Sequence, residues 1–212
     1  MLYADIDAVT VDGYGTLLTL RDPLPALQAA LAAHGVQRSR HEVRAGFAAE
    51  VAHYKPRSLR GSDAAGLAAL RLECVAVFLA AAGAGDQIEA AGFVEAFVDT
   101  LSFEAVPGAV ATLDDLRRRG IALAMVSNWD CALPQHIDRL GLGHLFQTVV
   151  ASAVVGAEKP DPRIFQVALA QLDVEPGRAL HIGDEPSDEQ GAAAAGMRFA
   201  PAPIAAAFEG WS

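Results

Sequence analysis

Four short polar runs, each following an apolar stretch, hold the side chains of this sequence that could do chemistry. The run Val11-Asp12-Gly13-Tyr14-Gly15-Thr16-Leu17 supplies one carboxylate, Asp12, at the entry to a glycine-rich turn. Ser127-Asn128 supplies a hydroxyl and an amide, and Lys159-Pro160-Asp161-Pro162-Arg163-Ile164-Phe165 supplies a cation. Gly183-Asp184-Glu185-Pro186-Ser187-Asp188 supplies an acidic pair. A nucleophile, neutral donors, an ammonium and two acids form a coherent set. Two carboxylates about 4 Å apart repel by roughly 4 kcal/mol at an effective dielectric near 20, so Asp12, Asp184 and Asp188 converge only around a cation. A hard divalent ion such as Mg²⁺ takes oxygen ligands of this kind, one or two of them carboxylates, and keeps waters. It would also cancel the repulsion between Asp12 and an anionic substrate. Lys159 and the backbone N–H groups of residues 13–15 are suited to the remaining substrate oxygens.

Taken singly, each run has a plainer explanation. Asp-Gly is a common turn pair, and Ser127-Asn128 would serve as a strand-to-helix cap. Lys159 with its prolines would open a helix, and Asp184 with Asp188 would sit in the first turn of one. Their succession at the ends of predicted strands is what outweighs these explanations. The first strand spans residues 8–11 and ends at Asp12. After Pro107 helices and strands alternate: helix 109–119, strand 121–126, helix 133–140, strand 148–151, helix 161–172, strand 179–182, helix 189–195 and strand 198–200. Gly120, Gly141 and Gly196 stop three of these helices. Alternation of this sort predicts a parallel sheet covered by helices on both faces. Ligands of such sheets bind beyond the carboxyl ends of the strands, which is where the four runs fall.

Between Pro23 and Leu101 the period is helical throughout, over residues 24–33, 43–54, 67–82 and 88–101, with turn signals between. The expectation is an all-helical insertion after the first strand. The domain division is residues 1–18 and 105–212 for the α/β core and 19–104 for the helical block. Within the block, Lys55, Arg57 and Arg60 concentrate positive charge in a segment that reads as a solvated loop, with a specificity patch for an anionic substrate as the alternative. His181 lies inside a predicted strand and reads as a core residue; the other histidines show no metal spacing.

The 212 residues carry a formal charge of -10 with a pI near 4.9, which makes nucleic acid and anionic membranes poor partners. Residues 1–7 lack the cationic start of a signal peptide, and the apolar stretch at residues 75–85 is short for a bilayer. Cys74 and Cys131 stand alone, so a cytoplasmic protein is expected, monomer or homodimer, acting on a small anionic molecule.

In order and spacing, the four runs resemble the four motifs of the haloacid dehalogenase-like hydrolase superfamily, and the helical block is similar to the helical cap of the subgroup that includes the L-2-haloacid dehalogenases. The resemblance implies a Rossmann-like α/β core with an inserted helical cap. It implies that Asp12 attacks the substrate to form a covalent aspartyl intermediate, that Thr16 orients the turn, and that Ser127 and Lys159 hold phosphoryl oxygens. Gly13, Asn128 and Trp129 join the substrate-binding set, with Trp129 expected to face the cap. Asp12, the backbone carbonyl of Tyr14, Asp184 and Asp188 would hold Mg²⁺, with Asp188 in or just behind the metal shell. One position departs from the phosphatase pattern: Tyr14 stands where those enzymes carry a second Asp that protonates the leaving oxygen, a service worth roughly 10²–10⁴-fold. Dehalogenases of this type also lack that Asp, often with Tyr there. They use no metal, however, carry neutral residues beside a single Asp in the fourth motif, and have Tyr where this chain has Phe165. The acidic pair outweighs Tyr14. The expectation is a Mg²⁺-dependent phosphatase, slow or restricted to good leaving groups. The alternatives are a metal-independent 2-haloacid dehalogenase or a binding or regulatory protein on the same fold.

Overall fold

The computed structural model describes residues 5–209 and divides into two compact units, Met1–Thr19 with Glu104–Ser212, and Leu20–Phe103. The first strand, β1 (Ala8–Val11), is completely buried: Ala8, Val9 and Val11 are apolar, and the one polar side chain, Thr10, is satisfied by a hydrogen bond to His181 Nδ1. A short strand β2 (Leu18–Leu20) follows, then four helices, α1 (Leu24–Ala33), α2 (Arg40–Tyr54), α3 (Ala64–Ala81) and α4 (Ala90–Asp99), and a second short strand β3 (Phe103–Ala105). The chain continues as α5 (Ala109–Arg118), β4 (Ala122–Ser127), α6 (Leu133–Arg139), β5 (Thr148–Ala151), α7 (Ser152–Val155), α8 (Arg163–Leu172), β6 (Ala179–Gly183), α9 (Pro186–Ala194), β7 (Arg198–Pro201) and α10 (Ile204–Ala207).

Five strands form one parallel sheet in the order β5-β4-β1-β6-β7, and the three-residue β2 and β3 pair separately. The chain leaves β1 toward β4 and β5, then returns to the other side of β1 for β6 and β7. The direction of winding therefore reverses between β1 and β6, and the crevice beyond their carboxyl ends is the ligand position of this architecture. Asp12 and the Gly183-Asp184 pair sit there. Ile164, Phe165, Ala168 and Leu169 of α8 pack with Ala192 of α9 against Ala8, Ala124 and Val126 of the sheet.

The helical unit has its own core, in which Leu27, Leu31, Val43, Val75, Phe78, Leu79 and Phe93 are almost completely buried. α2 starts earlier than its apolar rhythm indicates, because Ser39 and Glu42 form a reciprocal capping box ahead of it. By length and composition α3 is long and apolar enough to cross a membrane, which the shorter stretch at 75–85 did not suggest; here six of its side chains, Leu67 to Leu79, are buried in the unit. Lys55–Arg60 is a 3-10 turn, not an irregular loop. Arg60 forms two 2.7 Å bonds to Glu73, and Arg57 donates to the His53 carbonyl, so two of the three basic side chains are tied to partners inside the unit.

Glu50 is buried between α2 and α3 beside the Cys74 thiol, and burial pushes its carboxyl up to about 7. Glu73, Arg57 and Arg60 are further charged groups near that thiol. The folded protein therefore binds the Glu50 proton more tightly than the unfolded chain does. The stabilisation is complete below the ordinary carboxylate pKa of 4.5 and is lost as pH rises through about 7. Glu50→Gln should remove this loss, raising stability at pH 8 by up to about 3 kcal/mol relative to the parent and changing little at pH 4. Thermal melts at the two pH values check this; an equal shift at both would contradict it.

Candidate active site

The end of β1 fixes Asp12. Its backbone N–H donates to the Ile182 carbonyl of β6 at 2.9 Å, which locks the side chain over the crevice. The chain then turns tightly: Leu17 and Leu18 both donate to the Gly13 carbonyl, and Gly15 donates to the Leu18 carbonyl. Two glycines make this possible. Gly15 adopts φ +92°, and a Cβ there would lie 2.3 Å from Asp184 Oδ2. A Cβ on Gly13 would lie 2.7 Å from Ser127 Oγ. The turn is thus pressed directly against two side chains from the neighbouring strand ends, and Thr16, fully buried, donates to Asp184 Oδ1 at 3.0 Å.

Ser127 closes β4, one residue beyond the predicted strand, and its hydroxyl donates to Asp12 Oδ1 at 3.2 Å. Asn128 holds the Lys159 backbone at both ends: its Oδ1 accepts from the Lys159 N–H at 2.8 Å and its Nδ2 donates to the Lys159 carbonyl at 3.3 Å. Those bonds make it a clamp on Lys159. Lys159 itself is buried, with Nζ bonded to Asp12 Oδ1 and, at 2.5 Å, to Asp188 Oδ1. Asp188 is 1% exposed, and its other oxygen accepts from the Glu185 N–H as part of the capping box of α9.

One ammonium therefore lies between two buried carboxylates. Burial pushes the Asp12 carboxyl up to about 6, with Asp188 adding to the rise and Lys159 opposing it. Burial acts in the same direction on Asp188, but His181 and Lys159 outweigh it and hold this carboxyl at about 2. For Lys159, burial favours the neutral amine, and the two carboxylates overcome it and raise its pKa. Asp184 is exposed, and one oxygen from each of Asp12, Asp184 and Asp188 lies within 4.8 Å of the others. Three acids against one ammonium is a donor set that fits a divalent cation.

The Tyr14 side chain is 52% exposed, unlike the buried groups around it. Trp129 is half-buried; its backbone N–H donates to Ser152 Oγ at 3.1 Å and its ring lies 5.8 Å from that of His136. Phe165 is fully buried edge-on to His181, with ring centroids 4.9 Å apart. His181 itself is in the core, as its strand position indicated, yet its Nε2 lies 3.0 Å from Asp188 Oδ1. Sequence reasoning missed that link, together with Thr10 and Ser152.

The haloacid dehalogenase-like hydrolase family matches residues 6–196, and the chain belongs to it. It is 34% identical over 200 residues to the human haloacid dehalogenase-like hydrolase domain-containing protein 3, covering 91% of this chain and 80% of that one. The match to the mouse and bovine forms spans only 41% of their length. It is 44% identical over 94 residues to the phosphoserine phosphatase of Thermus thermophilus, 43% of this chain and 38% of that enzyme. Among solved structures, a phosphatase of this family from Thermococcus onnurineus superposes with TM-score 0.60 at 26% identity, covering 92% of this chain and 85% of that one. A 2-haloacid dehalogenase from Pseudomonas syringae is equally similar, with TM-score 0.61, 26% identity and the same coverage.

Proposed function

We propose that this hydrolase is a Mg²⁺-dependent phosphate-monoester hydrolase working through an aspartyl-phosphate on Asp12. The observation that carries the reading is the charge of the site: Asp12, Asp184 and Asp188 converge within 4.8 Å with Lys159 as the ammonium bonded to two of them. That excess of negative charge would repel a phosphate ester unless a divalent cation balanced it. Asp12, Asp184 and the Tyr14 carbonyl would hold Mg²⁺, with Asp188 in or behind its shell, and the ion would supply charge neutralisation. An Asp12 oxygen forms the bond to phosphorus, and the bond from phosphorus to the leaving oxygen breaks. Ser127 and Lys159, both bonded to Asp12, are placed to hold the phosphoryl oxygens. Water then attacks the aspartyl-phosphate, releasing phosphate and restoring the carboxylate. With Tyr14 in the acid position, the leaving oxygen takes its proton from solvent. The Leu20–Phe103 unit is read as the cap that selects a small phosphorylated metabolite, and Cys74 and Cys131, neither of them in a disulfide, suit a cytoplasmic setting.

The second reading is 2-haloacid dehalogenase, which Tyr14 favours because a halide leaves without a proton. Purified protein should hydrolyse p-nitrophenyl phosphate with Mg²⁺ and stop when chelator is added. Chelator-resistant chloride release from 2-chloropropionate would overturn the phosphatase reading in favour of the second. No turnover on either would favour a binding or regulatory role.

If a general acid is missing, poor leaving groups suffer most. Tyr14→Asp should raise alkyl-phosphate hydrolysis more than aryl-phosphate hydrolysis, by roughly 10²-fold, the low end of general acid–base assistance. The low end is expected because the half-exposed position leaves the new carboxylate partly in water. The check is the slope of rate against leaving-group pKa at saturating Mg²⁺; identical slopes for parent and variant would sink the idea.

A further inference from the structure

His181 is fully buried in β6, yet it is not needed there as an apolar filler: both ring nitrogens are engaged. Nδ1 lies 2.8 Å from the Thr10 hydroxyl, on the directly paired position of β1. Nε2 lies 3.0 Å from Asp188 Oδ1, the same oxygen that accepts from Lys159. We propose that His181 is a positioning residue: by donating from Nε2 it holds the Asp188 carboxylate on Lys159, so that the ammonium stays shared between Asp188 and Asp12. The inference rests on the reading of Asp12 as nucleophile with Lys159 beside it.

An ionised carboxylate only accepts, so Nε2 must be the donor to Asp188. In a neutral ring Nδ1 is then left to accept from Thr10, which fixes the tautomer. The ring cannot turn away. Phe165 packs against it edge-on at 4.9 Å, and Phe199 lies on another side at 6.4 Å. Asp188 is meanwhile held at its second oxygen by the Glu185 N–H. The carboxylate is thus pinned by donors from β6 and the start of α9, and Lys159 takes the remaining direction. Without the imidazole N–H, only Lys159 would donate to Asp188 Oδ1. Released on that side, the carboxylate would turn about its Cβ–Cγ bond and draw Oδ1 away from Lys159, leaving the ammonium held by Asp12 alone.

The test compares two substitutions whose order a merely structural role would invert. His181→Phe keeps the ring between Phe165 and Phe199 but removes the donor. His181→Gln gives up the ring but places an amide N–H near the position of Nε2. Removing a supporting hydrogen bond of this kind typically costs roughly 10- to 100-fold in activity. With p-nitrophenyl phosphate and Mg²⁺, kcat should fall by that factor in His181→Phe and stay near the parent in His181→Gln. Crystal structures should show Lys159 Nζ moved away from Asp188 in the Phe variant and still bonded to it in the Gln variant. If Phe is as active as Gln or more so, or if Lys159 still bonds Asp188 in Phe, the inference is overturned. Should the Phe variant fail to fold, Thr10→Val, which releases Nδ1, is expected to lower kcat; an unchanged kcat would overturn the inference. A parent protein with no phosphatase activity would count against the proposed function, while the variant structures still decide the role of His181.

Discussion

Asp12→Asn is expected to abolish phosphate-ester hydrolysis while leaving the metal-free protein at least as heat-stable as the parent. The change is nearly isosteric, and an amide cannot replace the carboxylate as nucleophile. The stability half follows from the charges. Asp12 is 6% exposed and shares the Lys159 ammonium with Asp188, so the buried group carries two negative charges against one positive. Removing one carboxylate charge leaves a neutral Lys159–Asp188 pair and takes away a desolvated anion whose pKa is already pushed up to about 6 by burial. Activity gained at the expense of stability is a general pattern at functional sites. Hydrolysis assays with Mg²⁺ and thermal melts without it measure the two halves. A well-folded Asn variant that retained parental turnover would exclude the covalent mechanism. A marked fall in melting temperature would show that the carboxylate stabilises the metal-free fold.

The second large effect is expected from Lys159→Met. Methionine has nearly the reach of the lysine stem, but the change leaves Asp12 and Asp188 facing each other without a buried counter-charge. Breaking a buried pair in this way costs about 3–5 kcal/mol. For a protein of this size that corresponds to a fall of roughly 6–20 °C in melting temperature. Two conditions should restore much of it. Millimolar Mg²⁺ supplies positive charge between the same carboxylates. Acid does so by protonating Asp12, whose carboxyl burial already pushes up to about 6 and which loses its Lys159 counter-charge in the variant, so stability is gained as pH falls and lost as pH rises through that raised value. Turnover should be abolished even where the fold is restored, because no ammonium remains for the phosphoryl oxygens. A melting temperature equal to the parent's in metal-free buffer at pH 7 would show that Lys159 does not offset the buried charge.

Much of the frame was legible in the sequence where an apolar run is closed by turn residues. β1, β5 and α1 have the bounds that their runs predict. β2, β3, α7 and α10, each of three or four residues, escaped. α2 began at Arg40 because its start is fixed by a polar capping box, whereas the apolar rhythm begins at Val43. The polar runs at the strand ends stood out because each breaks an apolar stretch. Their cross-bonding did not. Thr10 faces His181 only through the pairing of β1 with β6, and Asn128 reaches the Lys159 backbone across strand ends far apart in sequence. Register is a property of the folded sheet, and one chain read linearly does not carry it.

The central place of β1 bears on how this protein comes to fold. Its hydrogen-bonding neighbours begin at Ala122 and Ala179, so the strand at the middle of the sheet has no partner until most of the described chain is available. The helical unit, by contrast, is built from consecutive segments with a core of its own, and such local structure forms early. Its two connections meet where Arg21 donates to the Ser102 carbonyl at 2.9 Å. Once the helices are packed, the ends of a roughly 80-residue excursion are side by side, and the closure entropy falls to that of a short loop, a reduction of about 2 kcal/mol. A helical unit that packs first would thereby bring β1 within range of β4 before either strand has found its place.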